Sequence, residues 1–254
     1  MRNRLLKVLF LIIAVCVFMA MAIGSGSSNT PAQQGTGTGA STNHESNENP
    51  SKDDKVEYSV GETSVVVWTD SIGTKYVKVA VPVTNTGNVN LYLESSSIDL
   101  ENPDGSLAQT VDYVSAYPQI IKPGETAYYF EETTYDGTAT EGLKAVPHVK
   151  AEKSKVDIVR LEVSDLQIKT KEYFGACAMG RVLGTDQTAE RSVYVVANFF
   201  DKDGKFLGHQ IDILLGGIPA GEKMGFETST LSSRLAESDI ASYDVVAFPY
   251  QYNW

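Results

Sequence analysis

The chain carries the same succession of turn residues twice, 97 to 99 residues apart. Each copy has a glycine or aspartate after a largely apolar run, then an Asp-Gly pair, then a Gly-Glu corner: Gly87, Asp104-Gly105 and Gly124-Glu125 in the first, Asp186, Asp203-Gly204 and Gly221-Glu222 in the second. The first interval is 18 residues in both copies, and the second is 19 in one and 17 in the other. Turn residues at fixed offsets indicate a duplicated unit, so we expect two tandem domains, 56–153 and 154–254.

Alternating side chains between these turns predict β-strands. Val77, Val79, Val81 and Val83 would share one face of a strand, and the residues 99 positions later repeat the less polar set. Other β-branched or apolar runs predict strands at 65–68, 98–100, 127–130, 158–163, 193–200, 211–215 and 245–248. Helical spacing is weak and confined to 231–240, which we interpret as a crossover turn. The pattern predicts an all-β fold of two tandem immunoglobulin-like β-sandwiches.

Glycine defines four of the predicted turns. Gly124 and Gly221 each precede a glutamate that starts a returning strand, so we expect both at positive φ. Asn102-Pro103-Asp104-Gly105 and Asp201-Lys202-Asp203-Gly204 are typical of hairpin turns with a left-handed glycine. The second of these also invites a calcium interpretation, but an EF-hand register would put Phe199 and Gln210 at ligand positions, so we favour the turn.

The N-terminus is typical of an exported protein. Arg2, Arg4 and Lys7 precede an uncharged apolar run of 16 residues, 8–23. This run is longer than the ~7 to 15 residues of a usual signal peptide and approaches the ~17 of a spanning helix, while Ala20-Met21-Ala22 forms a cleavage motif. Residues 1–24 are therefore predicted as a signal peptide or a hydrophobic helix that anchors the chain in the membrane. Residues 25–55, rich in Ser, Thr, Gly and Asn, are predicted as a disordered linker.

Charge argues against nucleic acid as a partner. Residues 1–22 carry three of the 21 Lys and Arg residues and no acidic residue, so the exported part would have 18 cations against 32 acidic residues, a net charge of −14. Such a surface repels polyphosphates and anionic lipid head groups. It also favours solubility, and we expect the exported part to be a monomer.

The sequence contains no recognisable catalytic set. Cys16 and Cys177 lie in different segments and predict no disulfide, and Cys177 is interpreted as a small apolar filler. His44, His148 and His209 are scattered over linker, domain edge and hairpin, without a hydrolase or metalloprotease motif. Adjacent residues of a strand point to opposite faces, so Glu131 and Glu132 are not expected to act as a carboxylate pair. We therefore predict a non-enzymatic protein with no catalytic, cofactor-binding or metal-binding residue and no cofactor.

Tyr113 and Tyr117 form the one candidate binding surface. They lie in the short segment 112–118, and eight of the 13 tyrosines fall in the first predicted domain. Tyrosines in loops stack on sugars and border protein interfaces. The alternative is that both tyrosines simply pack in the core or at a sheet edge, where aromatic residues are also common.

Residues 156–254 resemble the FxLYD-type domain of bacterial exported proteins. The resemblance depends on the strand 193–200, the Asp201-Lys202-Asp203-Gly204 turn and the Ile218-Pro219-Ala220-Gly221-Glu222 corner, although Phe200 stands where the family prefers Tyr and Gly184 where it prefers Asn. Residues 56–153 resemble a diverged immunoglobulin-like relative. The resemblance implies β-sandwiches outside the cytoplasmic membrane and no known catalytic residue.

We therefore expect a non-enzymatic protein of the bacterial cell envelope. Its two domains would be presented to another envelope protein or to a cell-wall component, and an uncleaved N-terminal segment would anchor the chain in the membrane. The alternative is a structural spacer or accessory subunit of a membrane complex. In either case the domains would be extracytoplasmic, anchored by the N-terminal helix or secreted after cleavage.

The orientation can be tested with a tag placed after Trp254. Because the cations precede the apolar run, the tag should lie outside the cytoplasmic membrane, and protease added to intact spheroplasts should remove it. A protected tag would show the opposite orientation. The mass of the mature chain then distinguishes cleavage after Ala22 from a retained anchor.

Overall fold

Antiparallel β-strands build the part of the chain that the structure describes. This structure is a computed structural model, and it describes residues 53–171, 175–228 and 235–250. Within those ranges the single helical element is a 3-10 turn, Glu237–Asp239, which lies inside the predicted crossover turn. None of these residues forms a helix of the length and apolarity needed to cross a membrane. The all-β prediction is confirmed, while the predicted N-terminal helix and residues 25–52 of the predicted linker lie outside the described residues.

The first half, residues 53–153, folds into three antiparallel sheets. Its strands are β1 (Tyr58–Val60), β2 (Ser64–Thr69), β3 (Lys75–Asn85), β4 (Leu91–Leu93), β5 (Ser96–Glu101), β6 (Leu107–Val114), β7 (Ala116–Tyr117), β8 (Ile120–Ile121), β9 (Thr126–Thr134), β10 (Lys144–Pro147) and β11 (Ala151–Lys153). In the largest sheet β1 and β2 pair with one edge of β3, β9 pairs with the other edge, and β7 extends β9. The smaller sheets have the orders β10-β5-β6 and β11-β4-β8.

The second half, from residue 154, forms two three-stranded antiparallel sheets within the described ranges. Its strands are β12 (Val163–Lys171), β13 (Gly175–Leu183), β14 (Val193–Phe200), β15 (Phe206–Leu214), β16 (Lys223–Glu227) and β17 (Ser242–Pro249). The sheet orders are β12-β13-β16 and β15-β14-β17. The order β12-β13-β16 repeats the pairing β2-β3-β9 of the first half, and β15-β14-β17 repeats β6-β5-β10. The paired strands also follow one another along the chain in the same order in both halves.

The repeat extends to single hydrogen bonds at the two Gly-Glu corners. In the first half the backbone of Asn85 accepts from Gly124 N at 2.8 Å and donates to Glu125 O at 3.0 Å. In the second half Gly184 makes the same pair of bonds, from Gly221 N at 3.0 Å and to Glu222 O at 2.8 Å. Gly124 and Gly221 have φ of 82° and 80°, as the sequence predicts.

Different side chains satisfy the buried carbonyl at each corner. Asn85 is buried, and its Nδ2 donates to the carbonyl of Ile121 at 3.1 Å. Gly184 has no side chain, and a Cβ there would lie 2.2 Å from the carbonyl oxygen of Pro219. In that half the buried hydroxyl of Thr188 lies 2.6 Å from the carbonyl of Ile218 and provides the hydrogen bond instead. The polar requirement is thus preserved although the residue that meets it has changed.

The two hairpin turns also match their prediction. Gly105 and Gly204 have φ of 84° and 76°. In the second turn Asp201 Oδ1 accepts the backbone N–H groups of Asp203 and Lys205, both at 2.9 Å. These bonds use the first aspartate to hold the turn, in the manner of an Asx-turn.

Alternate residues of the central strands fill the cores. Val77, Val79, Val81 and Val83 are fully buried in one cluster with β4, β5 and β9, as the alternation predicts. Strand β14 places Val193 and Val195 in one cluster of the second half and Ala197 and Phe199 in another. Burial of these apolar faces between sheets is the main stabilising contribution to each half.

One predicted strand is wrong. Residues 158–163 do not form a strand, because Val163 already belongs to β12 and only Leu161 makes an isolated bridge, with Ala247. The segment connects the two halves: Val159 and Leu161 pack into the second core, while Arg160 hydrogen-bonds back to the first half. The alternation of apolar and polar residues in 158–163 therefore reflects a connector whose two sides face different halves of the protein, and not a strand in a sheet.

The corner glycines provide a test of the predicted domains. No atom lies within 4 Å of a Cβ built on Gly124 or Gly221, so Gly124→Val and Gly221→Val introduce backbone strain without a clash. We expect each to reduce the free energy of unfolding by about 1 to 3 kcal/mol. Asn tolerates the left-handed region, so Gly124→Asn and Gly221→Asn should cost less.

Calorimetry should show a different transition lowered in each valine variant if the two halves are separate domains. A single transition lowered equally by both substitutions would show that residues 56–254 unfold as one cooperative unit and that the predicted boundary is wrong.

Candidate functional site

The outer faces of two sheets pack against each other where the halves meet, and we call this region the junction. Residues 50–254 group into one compact unit, so both halves belong to the same body. On β14 the outward-facing Val196 and Asn198 are 0% and 2% exposed, as buried as the core residues that alternate with them. On β9 the outward-facing Phe130 is 8% exposed. Both strands are therefore covered on two faces.

Aromatic rings form most of the junction. Tyr128 of β9 stacks on Phe206 of β15 with ring centroids 4.0 Å apart and planes 6° from parallel. Phe130 meets Phe206 and His209 edge to face at 5.8 and 5.1 Å. A Cβ on Gly208 would lie 2.8 Å from Cζ of Phe130, so the glycine allows this ring to approach the backbone of β15. Aromatic pairs in such arrangements contribute beyond their buried area, by ~0.5 to 1.5 kcal/mol.

Arg160 holds the connector to both halves. Its Nη2 donates to the carbonyl of Ile120 at 2.8 Å and to the carboxylate of Glu125 at 2.9 Å, both in the first half. Its guanidinium lies over the ring of Phe248 in the second half, 5.8 Å from the centroid. Burial lowers the pKa of Arg160, an effect that Glu125 opposes. The group remains charged at neutral pH because an arginine pKa starts so high.

His209 is the most perturbed titratable group of the junction. The residue is 5% exposed, its ring meets Tyr117 edge to face at 5.3 Å, and its Nδ1 has no hydrogen-bond partner among the described residues. Burial lowers its pKa to about 4. The imidazole is therefore neutral at physiological pH.

Tyr113 lies on a β-bulge that turns its side chain to solvent. The register of β5 and β6 passes from Ile98 opposite Val111 to Ser96 opposite Val114, so two residues, Asp112 and Tyr113, face one. Tyr113 has φ of 58° and is 89% exposed. Bulges re-aim side chains next to functional sites, and a bulky residue at positive φ is a strained position.

Tyr117 separates two concave regions of the junction. The aromatic cleft, about 230 Å³, is lined by Ser115, Tyr117, Pro118, Gln119, Ile120, Arg160, Tyr194, Phe248 and Tyr250. The junction cavity, about 280 Å³, is lined by Tyr113, Ser115, Tyr117, Phe130, Glu131, Glu132, His209 and Ile211. The two predicted binding residues, Tyr113 and Tyr117, thus line the same cavity, and Tyr117 also lines the cleft.

Parallel rings line the aromatic cleft. Tyr194 stacks with Tyr117 at 6.4 Å, with Phe248 at 6.0 Å and with Tyr250 at 5.2 Å, all within 22° of parallel. Burial raises the pKa of Tyr117, so its hydroxyl stays protonated at neutral pH. These partly buried rings line the cleft together with the amide of Gln119 and provide both apolar and polar contacts for a ligand.

Glu131 and Glu132 both line the junction cavity, although strand alternation separates their directions. Strand β7 pairs with β9 only through Tyr128 and Tyr129, so the edge of β9 beyond Tyr129 has no strand beside it in that sheet. Burial raises the pKa of both carboxyl groups. The ammonium group of Lys78 lies 3.7 Å from the carboxylate of Glu132, and its charge opposes the rise in the pKa of Glu132.

Sequence reasoning missed most of this arrangement. It identified Tyr113 and Tyr117 but treated His209 as scattered and the two glutamates as unrelated. One signal could have predicted it: the face of 76–83 and 127–130 opposite the core is itself too apolar for a surface in contact with solvent.

Cys177, which the sequence analysis interpreted as a small apolar filler, is buried, and its Sγ lies 3.4 Å from the carbonyl of Lys169, as expected for that role. Within the described ranges no group of three His, Cys, Asp or Glu residues is arranged to hold a metal ion.

The chain matches no family model and no curated protein.

The buried histidine predicts a specific pH dependence of stability. The folded pKa of His209 is about 4, below the value of about 6.5 in the unfolded chain, so only the unfolded state gains a proton between these values. Stability due to His209 therefore falls as the pH decreases from 6.5 to 4, by about 3 kcal/mol in total. Burial raises the pKa of Glu131 and Glu132, so their contribution to stability increases as the pH falls, opposite to that of His209. The contribution of the histidine is therefore isolated only by comparing the wild type with a His209 variant.

We therefore compare the wild type with His209→Phe by denaturant unfolding at a series of pH values. The free energy of unfolding of the wild type should fall relative to that of the variant as the pH is lowered, and the difference should level off below pH 4. His148→Phe is the matched control, because His148 is half exposed and lies outside the junction, and it should retain the effect. A constant difference between wild type and His209→Phe would contradict the buried neutral imidazole.

Proposed function

We propose that this protein is a non-enzymatic binding protein of the bacterial cell envelope, and that it binds its partner through the surface on either side of Tyr117. The observation that carries the proposal is the convergence of Tyr113, Tyr117, Tyr194 and Tyr250 on two adjacent concave regions of the junction. Aromatic side chains with a polar tip are enriched at protein interfaces and stack on sugars, so an envelope protein or a cell-wall glycan suits this surface.

The placement of Tyr113 supports a binding role over simple packing. A tyrosine that is 89% exposed contributes little apolar burial, yet its backbone has positive φ. Such strain costs ~1 to 3 kcal/mol and persists only where the surrounding structure holds it. Backbone strain that is not offset by burial of the side chain is expected for a residue used in recognition.

The finer fold and the cellular location belong to the same proposal. Each half has sheets on both sides of an apolar cluster, which supports an immunoglobulin-like β-sandwich for each, the second similar to an FxLYD-type domain. The N-terminal cations and apolar run support an extracytoplasmic location, with the chain anchored or secreted. The acidic charge supports a partner other than nucleic acid.

Site-specific photocrosslinking in cells tests the binding surface. A photoreactive residue replaces Tyr113 or Gln119, which line the cavity and the cleft, and Ile72 is the control. Ile72 is 86% exposed but lies in the turn between β2 and β3 and lines neither region. We expect one envelope component to crosslink at positions 113 and 119 and not at 72.

The alternative function, a structural spacer or accessory subunit, predicts a different result. A spacer needs a stiff body but no dedicated surface, and the packed junction also suits that role. Absence of any crosslink at positions 113 and 119, or equal crosslinking at all three positions, would contradict the binding surface and favour the spacer.

A further inference from the structure

We propose that the junction cavity binds the ammonium head group of an organic cation, held by aromatic rings and by an uncompensated carboxylate. The inference deepens the proposed function, since it names the ligand chemistry of one part of the same surface. The inference rests on the proposed function for the location of the site, and it adds the charge and the chemical class of the ligand that the junction cavity binds.

The cavity has one negative charge more than its neighbours balance. Two carboxylates line it, and Lys78 pairs with Glu132 at 3.7 Å. Glu131 makes no ion pair with any described residue, and the one hydrogen bond of its carboxylate is from the backbone N–H of Glu132, at 3.2 Å. A half-buried carboxylate without a cation is unfavourable, and a ligand with one positive charge would balance it.

Glu132 is the more deeply buried carboxylate of the cavity lining. Its side chain is 3% exposed, its Oε2 has no hydrogen-bond partner within the described ranges, and the side chains of Lys78 and Trp68 oppose the effect of burial on its pKa. The distance from Lys78, 3.7 Å, is too long for a hydrogen bond. Burial raises the pKa of Glu131 and Glu132, and a bound cation would offset that rise by favouring the charged carboxylates.

Aromatic rings supply the rest of the site. Tyr113, Tyr117 and Phe130 line the same cavity, and rings of this kind attract alkylammonium groups through their negative faces. His209 lies against Tyr117 and Phe130 but remains neutral at physiological pH, because burial lowers its pKa to about 4. The histidine therefore adds a further aromatic wall without repelling a cation.

The size of the cavity favours a head group over a larger ligand or a bare ion. Its volume of about 280 Å³ is just below that of most ligand pockets, which range from ~300 to 1,000 Å³. A metal ion would need several hard ligands, and no suitable group of three His, Cys, Asp or Glu residues occurs within the described ranges. An alkylammonium group instead uses rings and one carboxylate, which the cavity provides.

Titration of the full chain with matched probes tests the charge requirement. Choline and N-acetyl-lysine amide represent a free quaternary amine and the side chain of a peptide, and 3,3-dimethyl-1-butanol is the neutral counterpart of choline. Binding is followed by calorimetry and by the ring resonances of Tyr117 and His209, with sodium chloride keeping the ionic strength constant. We expect at least one ammonium probe to bind and the neutral counterpart to bind tenfold more weakly or not at all; which of the two probes binds better identifies the source.

Variants locate the binding. Glu131→Gln removes the unpaired charge at a partly exposed sheet edge and should weaken binding about tenfold. Tyr113→Ala changes a side chain that is 89% exposed, so it tests the ring without a risk to folding, and should also weaken binding. Glu141→Gln is the control, because Glu141 is exposed and lies outside the cavity, and it should have no effect.

Three outcomes would overturn the inference: equal binding of the neutral counterpart, no binding of either ammonium probe, or binding that Glu131→Gln and Tyr113→Ala leave unchanged. Each leaves the proposed function intact if a partner still crosslinks at position 119 in the aromatic cleft. Conversely, ammonium binding without any crosslinked envelope component would support the site and contradict the envelope partner.

Discussion

The contact between Phe130 and the backbone at Gly208 is the constraint on which the junction depends. A side chain at position 208 would meet the ring at 2.8 Å, so the two outer sheet faces can approach this closely only because that position is glycine. Their approach buries Val196 and Asn198 on the second side of β14 and encloses His209. The rings of Tyr117, Phe130 and Phe206 cover His209, and residues of both halves line the junction cavity and the aromatic cleft.

The two halves keep one hydrogen-bonding plan while their surfaces diverge. At the Gly-Glu corners the backbone bonds are the same, yet Asn85 satisfies the buried isoleucine carbonyl in one half and Thr188 satisfies it in the other. A buried carbonyl must have a partner, but many donors can supply it, so the turn geometry is retained more strictly than the side chain. The outer faces carry no such requirement, and aromatic residues there produced an interface between the halves.

The sequence predicted many of the strands and turns, although not β6 or most of β12, because alternation and turn glycines are local signals. Val77 to Val83 are buried on one face, and Gly105, Gly124, Gly204 and Gly221 have positive φ, since both features follow from neighbouring residues alone. The prediction at 158–163 was wrong because the alternating sides of the connector face two different halves. The site was predicted only through Tyr113 and Tyr117. His209 is 77 residues from Glu132 and 78 from Glu131 in the sequence, and nothing local to either segment indicates that they line one cavity.

The electrostatics of the junction cavity follow from the burial of its titratable groups. A positive charge on His209 would offset the negative charge of the two carboxylates in the cavity lining. Burial instead lowers the pKa of His209 to about 4 and raises the pKa of Glu131 and Glu132. Desolvation disfavours a charge on the histidine, because its ring meets Tyr117 and Phe130 and is only 5% exposed to water. Of the two carboxylates in the cavity lining, Glu132 has Lys78 3.7 Å away, whereas Glu131 makes no ion pair with any described residue, so the charge of Glu131 is the one that a bound cation would balance.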